Sequence, residues 1–238
     1  MDVTTSLSAP ELTPLLQRWA PWRHLIRFSN GLATDQFETG QPFNADPLAK
    51  LRFVMDRLPW ADLDGGRALD VGFNCGYNSV ALAAQHDMSV VGIDVSPRHR
   101  EVAGFLAETA GVAGRTRFEL TDAATFRDEQ LFDLVLHFGT LYHLPNPVLA
   151  LETAAANLCP GGWLALETQV YVGADQSLSK FIHGDKGDYS NWWSLSVETL
   201  EVLLGHVGFT HVEQVLLTTS SWISDDQARA VYVCRAAT

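Results

Sequence analysis

Basic residues are scarce in this sequence: 16 lysines and arginines face 28 aspartates and glutamates, for a formal net charge of −12. Proteins that bind nucleic acids draw much of their affinity from basic side chains that neutralise phosphates. The densest basic cluster, Arg98-His99-Arg100, is typical of a solvated helix start. We therefore expect neither RNA nor DNA as the substrate, while a small local basic site stays open.

Long apolar runs and paired cysteines are also missing. No apolar segment approaches the roughly 20 residues of a membrane-spanning helix, and the first residues lack both regions of a signal peptide. The cysteines Cys75, Cys159 and Cys234 are odd in number and lack metal-ligand spacing. We expect a cytoplasmic protein with reduced thiols and no membrane partner. Its 238 residues suffice for one α/β domain.

Short apolar runs alternate with helical periods from about residue 67 onward, which is typical of βαβ units around a parallel sheet. Helices are predicted after the first, second and fourth strands, and another from Ser196. Residues 1–66 are rich in aromatic residues and are predicted to form a helical and loop cap within the same domain. Residues 172–195 break the periodicity and are predicted to be a substrate loop in the domain of residues 67–238. The predicted strands are 68–72, 89–95, 116–120, 132–136, 163–170, 210–218 and 228–235.

The segment LDVGFNCG, residues 69–76, lies between a predicted strand and a predicted helix, where nucleotide-type loops occur. Gly72 and Gly76 would let the backbone turn tightly and approach a ligand without a Cβ clash. A plain tight turn would explain this pair of glycines equally well. Asp70, Asp94 and Asp122 end the first three strands, so their carboxylates should converge on one crevice.

In motif order, residues 67–171 resemble the class I S-adenosylmethionine (SAM)-dependent methyltransferases. ALDVGFNCG resembles the acidic-x-Gly-x-Gly-x-Gly motif, with Asn74 replacing the middle glycine, and VGID, residues 91–94, resembles the ribose-binding motif. FDLVL, residues 132–136, and LCPGG, residues 158–162, resemble the fourth strand and the turn before the fifth. The resemblance implies a Rossmann-like, seven-stranded α/β sheet of order 3-2-1-4-5-7-6, with helices on both faces and strand seven antiparallel. It also implies SAM as the cofactor, bound by Asp70, Gly72, Asn74, Gly76, Asp94, Asp122, Ala123 and Phe138.

A dehydrogenase is the rival interpretation of the same loop. It would favour Gly-x-Gly-x-x-Gly with a diphosphate on the helix N-terminus. Asp70 argues against it, because a carboxylate two residues before Gly72 would repel a diphosphate but attract the amino group of SAM. Within the methyltransferases, FGTLYHL, residues 138–144, and NWW, residues 191–193, resemble a branch that contains tRNA wobble-uridine modifiers and enzymes acting on sugars and natural products.

The acceptor is expected to be a small polar molecule methylated on a hydroxyl: a sugar, an oligosaccharide or a glycosylated natural product. The loop of residues 172–195 mixes polar and aromatic groups, which suits a carbohydrate. Alternatively, its tryptophans anchor the loop to the core. A metal site formed by His183, Asp185 and Asp188 is not expected, because the spacing is not diagnostic. The predicted substrate residues are Tyr142, His183, Asp188, Tyr189, Asn191 and Trp192.

A hydroxyl acceptor requires a base, and histidine is suited to this role near neutral pH. We expect His143, just beyond the fourth strand, to be the catalytic base, with His137 and then His183 as alternatives. The competing interpretation of His143 is a structural histidine that bonds a carbonyl. Two other functions stay open, a tRNA wobble-uridine-type methyltransferase and a non-catalytic SAM-binding subunit. The expected partners are the small-molecule or carbohydrate acceptor and, in a homodimer, a second copy of the chain.

Overall fold

The computed structural model describes residues 2–46, 49–184, 187, 189–218 and 225–238. Its helices are α1 (Ala9–Arg18), α2 (Ala49–Met55), α3 (Trp60–Leu63), α4 (Tyr77–Gln85), α5 (Pro97–Thr109), α6 (Pro147–Ala156) and α7 (Val197–His206). Its first strands are β1 (Asp2–Val3), β2 (Trp22–His24), β3 (Arg27–Phe28), β4 (Thr39–Asn44), β5 (Arg67–Val71), β6 (Ser89–Asp94) and β7 (Thr116–Leu120). The remaining strands are β8 (Phe132–Phe138), β9 (Leu158–Tyr171), β10 (Lys180–Phe181), β11 (Trp193–Ser196), β12 (Phe209–Thr218) and β13 (Gln227–Ala236).

The main sheet has nine strands within the described residues. Seven of them run in the order β7-β6-β5-β8-β9-β13-β12, in which β5 to β9 are mutually parallel and β13 is antiparallel to both neighbours. The predicted count of seven is too low, because β11 adds to the end of β9 and β10 pairs with β11. Both extra strands come from the segment that was expected to be an inserted loop.

The fifth strand of the parallel set, β9, begins at Leu158 rather than near residue 163. The cysteine-proline-glycine cluster that was expected to be a turn lies inside it. Gly161 has a φ of 74°, and the pairing with β8 shifts register between Phe132 and Leu134. The proline and glycines are therefore accommodated by an irregularity in the pairing of β9 with β8, and the strand continues through them.

The central strands are apolar on both faces and divide their side chains between two cores. Ala68, Val90 and Leu134 face a core that also contains residues of α1, α2, α4 and α5. The next residue along each of these strands faces the opposite core, which also contains residues of α6 and α7. This alternation is what a parallel sheet covered by helices on both faces requires.

Three helices begin at the side-chain caps that their sequences indicate. The Ser96, Asn146 and Ser196 side chains accept hydrogen bonds from backbone amides three residues later. Pro97 and Pro147 occupy the first helical positions, where no amide hydrogen is needed. These caps set where α5, α6 and α7 leave the carboxyl edge of the sheet.

The N-terminal segment packs onto the same core as the sheet. Leu16 and Trp22 are buried in the cluster that contains α4 and α5, and the Trp22 indole donates to the Leu16 carbonyl. The Arg98 guanidinium donates to the carbonyls of Trp19 and Ala20 at 2.6 and 3.0 Å. These bonds hold the segment against the first turn of α5. In the described part of the chain, every helix is too short or too polar to cross a bilayer.

Candidate functional site

Two adjoining cavities open at the carboxyl edge of the sheet, where ligands bind in open α/β folds. The first, the edge cavity, has a volume of about 490 Å³ and lies at the ends of β5, β6 and β7. The second, the central cavity, has a volume of about 320 Å³ and lies between the N-terminal cap and β8. The residues that line both cavities are Gly72, Asn74, Gly139 and His143.

The loop after β5 forms the wall between the two cavities. Gly72, Asn74 and Gly76 have positive φ angles of 75°, 53° and 77°. Asparagine is one of the few side chains that tolerates this region, which explains how Asn74 replaces the expected glycine. A Cβ at position 72 would lie 2.1 Å from Thr140 Oγ1, and one at position 76 would lie 2.7 Å from Ala103 Cβ. Side chains at positions 72 and 76 are therefore excluded by atoms of the protein itself, while Gly72 also lines both cavities, and the close approach of this loop to a ligand stays a prediction.

Asp94 lies in the edge cavity at the end of β6. Its carboxylate accepts hydrogen bonds from the Asn74 amide at 3.1 Å, the Ser96 amide at 2.9 Å and His99 Nδ1 at 3.0 Å. Burial alone would raise the pKa of Asp94, but the bonds from His99 and the two amides lower it below its ordinary value. The carboxylate is thus ionised and held in a fixed orientation.

Asp70 is placed differently from Asp94. Its side chain is buried, lines neither cavity among the residues described, and accepts a hydrogen bond from Ser79 Oγ at 2.6 Å. Burial raises the pKa of Asp70 to about 6. Asp70 therefore ties β5 to α4 beneath the glycine loop, and the direct ligand contact expected of it does not fit this placement.

Asp122 and Ala123 line the edge cavity beyond the end of β7. Asp122 Oδ1 accepts a hydrogen bond from the Ala124 amide at 2.8 Å, which fixes the turn. Phe138, at the end of β8, lines the central cavity instead. Of the predicted cofactor residues, the structure brings Gly72, Asn74, Asp94, Asp122 and Ala123 to one cavity.

His143 lies in the turn after β8 and faces both cavities. Its Nδ1 is 2.9 Å from the carbonyl oxygen of Ser190, which also lines the edge cavity. A carbonyl only accepts, so the ring is protonated on Nδ1 and, when neutral, carries its lone pair on Nε2. The carbonyl bond that the competing, structural interpretation of His143 expects is present, and the same bond sets the tautomer that a general base requires, so the geometry is compatible with both interpretations.

His137 is placed away from both cavities. It lies within β8, one residue before the strand ends, and its ring is only 1% exposed. Neither ring nitrogen has a hydrogen-bond partner among the described residues, and burial lowers the pKa of His137 to about 4. Its burial and its absence from the lining of both cavities do not favour the catalytic role considered for His137.

A buried charge cluster that sequence reasoning missed lies behind the central cavity. Glu167 on β9 is fully buried and accepts bonds from Arg229 at 2.6 and 2.8 Å and from Lys50 at 2.8 Å. Burial alone would raise the pKa of Glu167, but the two cations lower it. The Arg229 guanidinium also lies 4.7 Å from the ring centroid of Tyr142, which lines the cavity as predicted for a substrate residue.

His24 and Arg23, also missed, extend the central cavity from the N-terminal cap. His24 Nδ1 lies 3.5 Å from Cys75 Sγ. Burial, followed by the charges of Lys50 and Arg23, lowers the pKa of His24 to about 4, and burial raises the pKa of Cys75 to about 12. The pair is therefore a neutral imidazole and a protonated thiol. Only three-dimensional proximity links Arg23 and His24 to β8, since both lie over 100 positions before it in the chain.

The remaining predicted substrate residues lie on the segment between β9 and α7. His183, Tyr189, Asn191 and Trp192 lie outside both cavities, and Asp188 is not among the described residues. The Trp192 amide donates to the Tyr142 carbonyl, and the Trp193 indole donates to the Pro145 carbonyl. Trp193 thus takes the anchoring role that was considered for one of the pair. Within the described residues, no group of three or more His, Cys, Asp or Glu forms a metal site.

Comparison with known proteins is consistent with this geometry. A family model described as a methyltransferase domain matches residues 43–214, more than half of the chain. The tRNA U34 carboxymethyltransferase of Psychrobacter arcticus is 29% identical over 94% of this chain and 66% of its own length. The 27-O-demethylrifamycin SV methyltransferase of Amycolatopsis mediterranei is 36% identical over 43% of this chain and 38% of its own length. The chain spans less than two thirds of the length of these curated relatives.

Solved structures share the fold over nearly the whole chain. The N-terminal domain of EvdMO1 with SAH bound has a TM-score of 0.75 and 23% identity, covering 97% of this chain and 98% of that one. The same domain in the presence of SAH and D-fucose has a TM-score of 0.75 and 24% identity, covering 97% of each chain. The nine-stranded sheet described above is therefore a variant of an established domain fold.

Proposed function

The chain belongs to the class I SAM-dependent methyltransferases, and on that premise we propose that it methylates a hydroxyl of a small polar acceptor, with a sugar as the leading class. The single observation that carries the proposal is the position of His143. It stands where the two cavities meet, and its bond to the Ser190 carbonyl leaves the lone pair of the neutral ring on Nε2.

The edge cavity fits the cofactor of this family. Its volume of about 490 Å³ lies within the usual range for small-molecule sites. A carboxylate has about four acceptor positions, and three protein donors occupy positions on Asp94, which leaves one for a ribose hydroxyl. Asp122 and Ala123 would hold the adenine end. When bound, SAM supplies a methyl group already activated by its sulfonium.

The acceptor hydroxyl would lie in the central cavity beside His143. Its proton would pass to Nε2 as the oxygen bonds to the methyl carbon, whose bond to sulfur would break, so that S-adenosylhomocysteine would be left as the second product. The positive charge that develops on the ring is stabilised by the Ser190 carbonyl, because Nδ1–H donates to it. Tyr142 and Phe138 line this cavity together with residues of the N-terminal cap, and they would limit access of water to a bound acceptor.

Two comparisons support oxygen as the methylated atom and a sugar as the acceptor. The rifamycin relative is named for methylation at an oxygen of a natural product. The EvdMO1 domain was crystallised in the presence of D-fucose.

The proposal is tested by His143→Ala, with radiolabelled SAM and a panel of monosaccharides and glycosides as acceptors. We expect turnover to fall by about 10²–10⁴ because the base is lost, with SAM affinity nearly unchanged. His206→Ala, on the last turn of α7, is the matched control and should retain activity. A variant that keeps more than half of wild-type turnover would exclude His143 as the base. SAM binding without transfer to any acceptor would favour a non-catalytic subunit.

A second candidate function is carboxymethyl transfer to a tRNA wobble uridine. The cations around the central cavity favour it: Arg23, Lys50 and Arg229 line the cavity, and Lys50 and Arg229 share one carboxylate, Glu167. Such a cavity suits a SAM derivative whose transferable methyl carries a carboxylate, and several relatives are named tRNA U34 carboxymethyltransferases. Displacement of SAM by this carboxylated donor, with transfer to tRNA, would replace the first proposal with this one.

A further inference from the structure

Four aromatic rings, which we call the outer aromatic surface, lie together outside the two cavities. The His183 ring stacks on Trp192 at a centroid distance of 4.2 Å, and Phe181 and Tyr189 approach His183 at 6.0 and 5.6 Å. Phe181 is 55% exposed and Tyr189 is 71% exposed. Packing of the rings against one another fixes their positions while leaving large apolar faces in contact with water. The surface consists of Phe181, His183, Tyr189 and Trp192.

This surface is joined directly to the catalytic turn. Ser190, next to Tyr189, accepts the bond from His143, and the Trp192 amide donates to the carbonyl of Tyr142 at 2.8 Å. The segment that carries the rings is therefore tied to the turn at His143, although the rings line neither cavity among the residues described. A ligand that extends out of the central cavity past His143 would meet them next.

The charges near the surface select the class of ligand. The segment of residues 172–195 contains three aspartates and two lysines, and one of those lysines, Lys180, is paired with Asp226 at 3.1 Å. A chain of phosphates would find no excess of positive charge here. A neutral sugar ring has an apolar C–H face that packs on an aromatic ring, and its hydroxyls stay in water.

From the exposed rings, their connection to His143 and their charge, we infer that the outer aromatic surface is a second acceptor subsite, which binds a sugar ring adjacent to the one that is methylated. This rests on the proposed sugar methylation and deepens it: the acceptor is a disaccharide or a longer glycan rather than a free monosaccharide. Phe181 and Tyr189 provide the stacking faces. The methylated ring occupies the central cavity.

The inference is tested with Tyr189→Ser and Phe181→Ser, measured on monosaccharides and on di- and trisaccharides that contain the same terminal sugar. In the wild type, KM should be at least about fivefold lower for the longer acceptors. In both variants the KM for the longer acceptors should rise to that for monosaccharides. The KM for monosaccharides and the affinity for SAM should stay unchanged. Leu131→Ser removes another exposed apolar side chain, which is 43% exposed and lies just before β8, and this variant should keep the lower KM for the longer acceptors.

The two proposals fail in different ways. Methylation of monosaccharides without any gain for longer acceptors would overturn the second subsite and leave sugar methylation standing. Equal gains in the wild type and both variants would overturn it as well. Tight binding of tRNA that either variant abolishes would assign the rings to nucleobases and overturn the inference. If no sugar is methylated by the wild type, both proposals fall together.

Discussion

Asp94 shows how one carboxylate can serve both the loop and the ligand. The Asn74 and Ser96 amides and His99 hold it in place, so its remaining acceptor position points into the edge cavity with little freedom to lose on binding. Asp70, by contrast, has a raised pKa and is bonded to Ser79 inside the core. Two aspartates near the ends of neighbouring strands are therefore placed differently: Asp94 lines the edge cavity and Asp70 is buried in the core.

Asp94→Ala should lower SAM affinity at least tenfold, because a charge-assisted hydrogen bond contributes about 1.5–3 kcal/mol. Titration calorimetry with SAM measures the change. His99→Ala keeps the Asp94 carboxylate and removes only one of the hydrogen bonds that orient it, so this variant should lose less SAM affinity than Asp94→Ala. Unchanged affinity in Asp94→Ala, with an intact thermal unfolding transition, would contradict the role given to this residue.

His137 gives a prediction for stability rather than catalysis. Its folded pKa is about 4, and an unfolded histidine takes up its proton near pH 6.5. Between these values the unfolded chain binds more protons than the folded chain. The contribution of the neutral ring to the free energy of unfolding is therefore complete above pH 6.5 and is lost as the pH falls toward 4. The loss is at most about 3 kcal/mol.

His137→Leu should stabilise the protein, because it removes two buried nitrogens without partners among the described residues. The gain should be largest near pH 5, where the wild type is weakened. Urea unfolding of both proteins at pH 5 and pH 7.5 measures it. A variant that is less stable than the wild type at both values would show that the ring has an unrecognised structural partner.

At the scale of elements, the contact between the glycine loop and α5 determines the shape of the site. Gly76 begins α4 with a positive φ, and its Cα faces Ala103 so closely that a Cβ would lie 2.7 Å from the Ala103 Cβ. The wall between the two cavities therefore rests on the packing of α4 against α5. Overpacking at such a contact costs about 1–3 kcal/mol.

Gly76→Ala should lower the free energy of unfolding by this amount, and Ala103→Gly in the same chain should recover part of it. Recovery is incomplete because alanine at a φ of 77° stays strained. A double-mutant cycle by urea unfolding should give a favourable coupling of about 1 kcal/mol. Additive effects of the two substitutions on the free energy of unfolding would show that the contact with Ala103 does not cause the destabilisation.

At the scale of the whole molecule, the net charge of −12 opposes the tRNA function that several relatives carry. The cations of the central cavity are held within the fold, where Glu167 neutralises part of their charge. A cavity can therefore attract a small anion while the surface as a whole repels a long polyanion.

Total tRNA should accordingly bind more weakly than about 1 µM in a filter assay at low salt. The same assay at rising salt separates electrostatic binding from binding at the cavity. Robust methylation or carboxymethylation of tRNA would contradict this expectation and favour the second candidate function.

The local features of this protein follow from the sequence because each depends on residues close together in the chain. The positions of β5, β6 and β7, the caps at Ser96, Asn146 and Ser196, and the aspartates at the strand ends all arise from short-range periodicity and turn chemistry. The family motif is likewise contiguous. The edge cavity was therefore predictable from the sequence, apart from the inward turn of Asp70.

Only the tertiary structure decided which histidine lines the two cavities and what surrounds it. His137 and His143 are six residues apart, yet β8 extends to Phe138 and carries His137 into the core, while the turn brings His143 to Ser190. The apolar character of the predicted fourth strand was the one signal that could have placed His137 inside. Lys50, Glu167 and Arg229 come from three distant segments, and no local pattern joins them. Their meeting is a consequence of sheet order, because β13 pairs with β9 and α2, which carries Lys50, packs against β13.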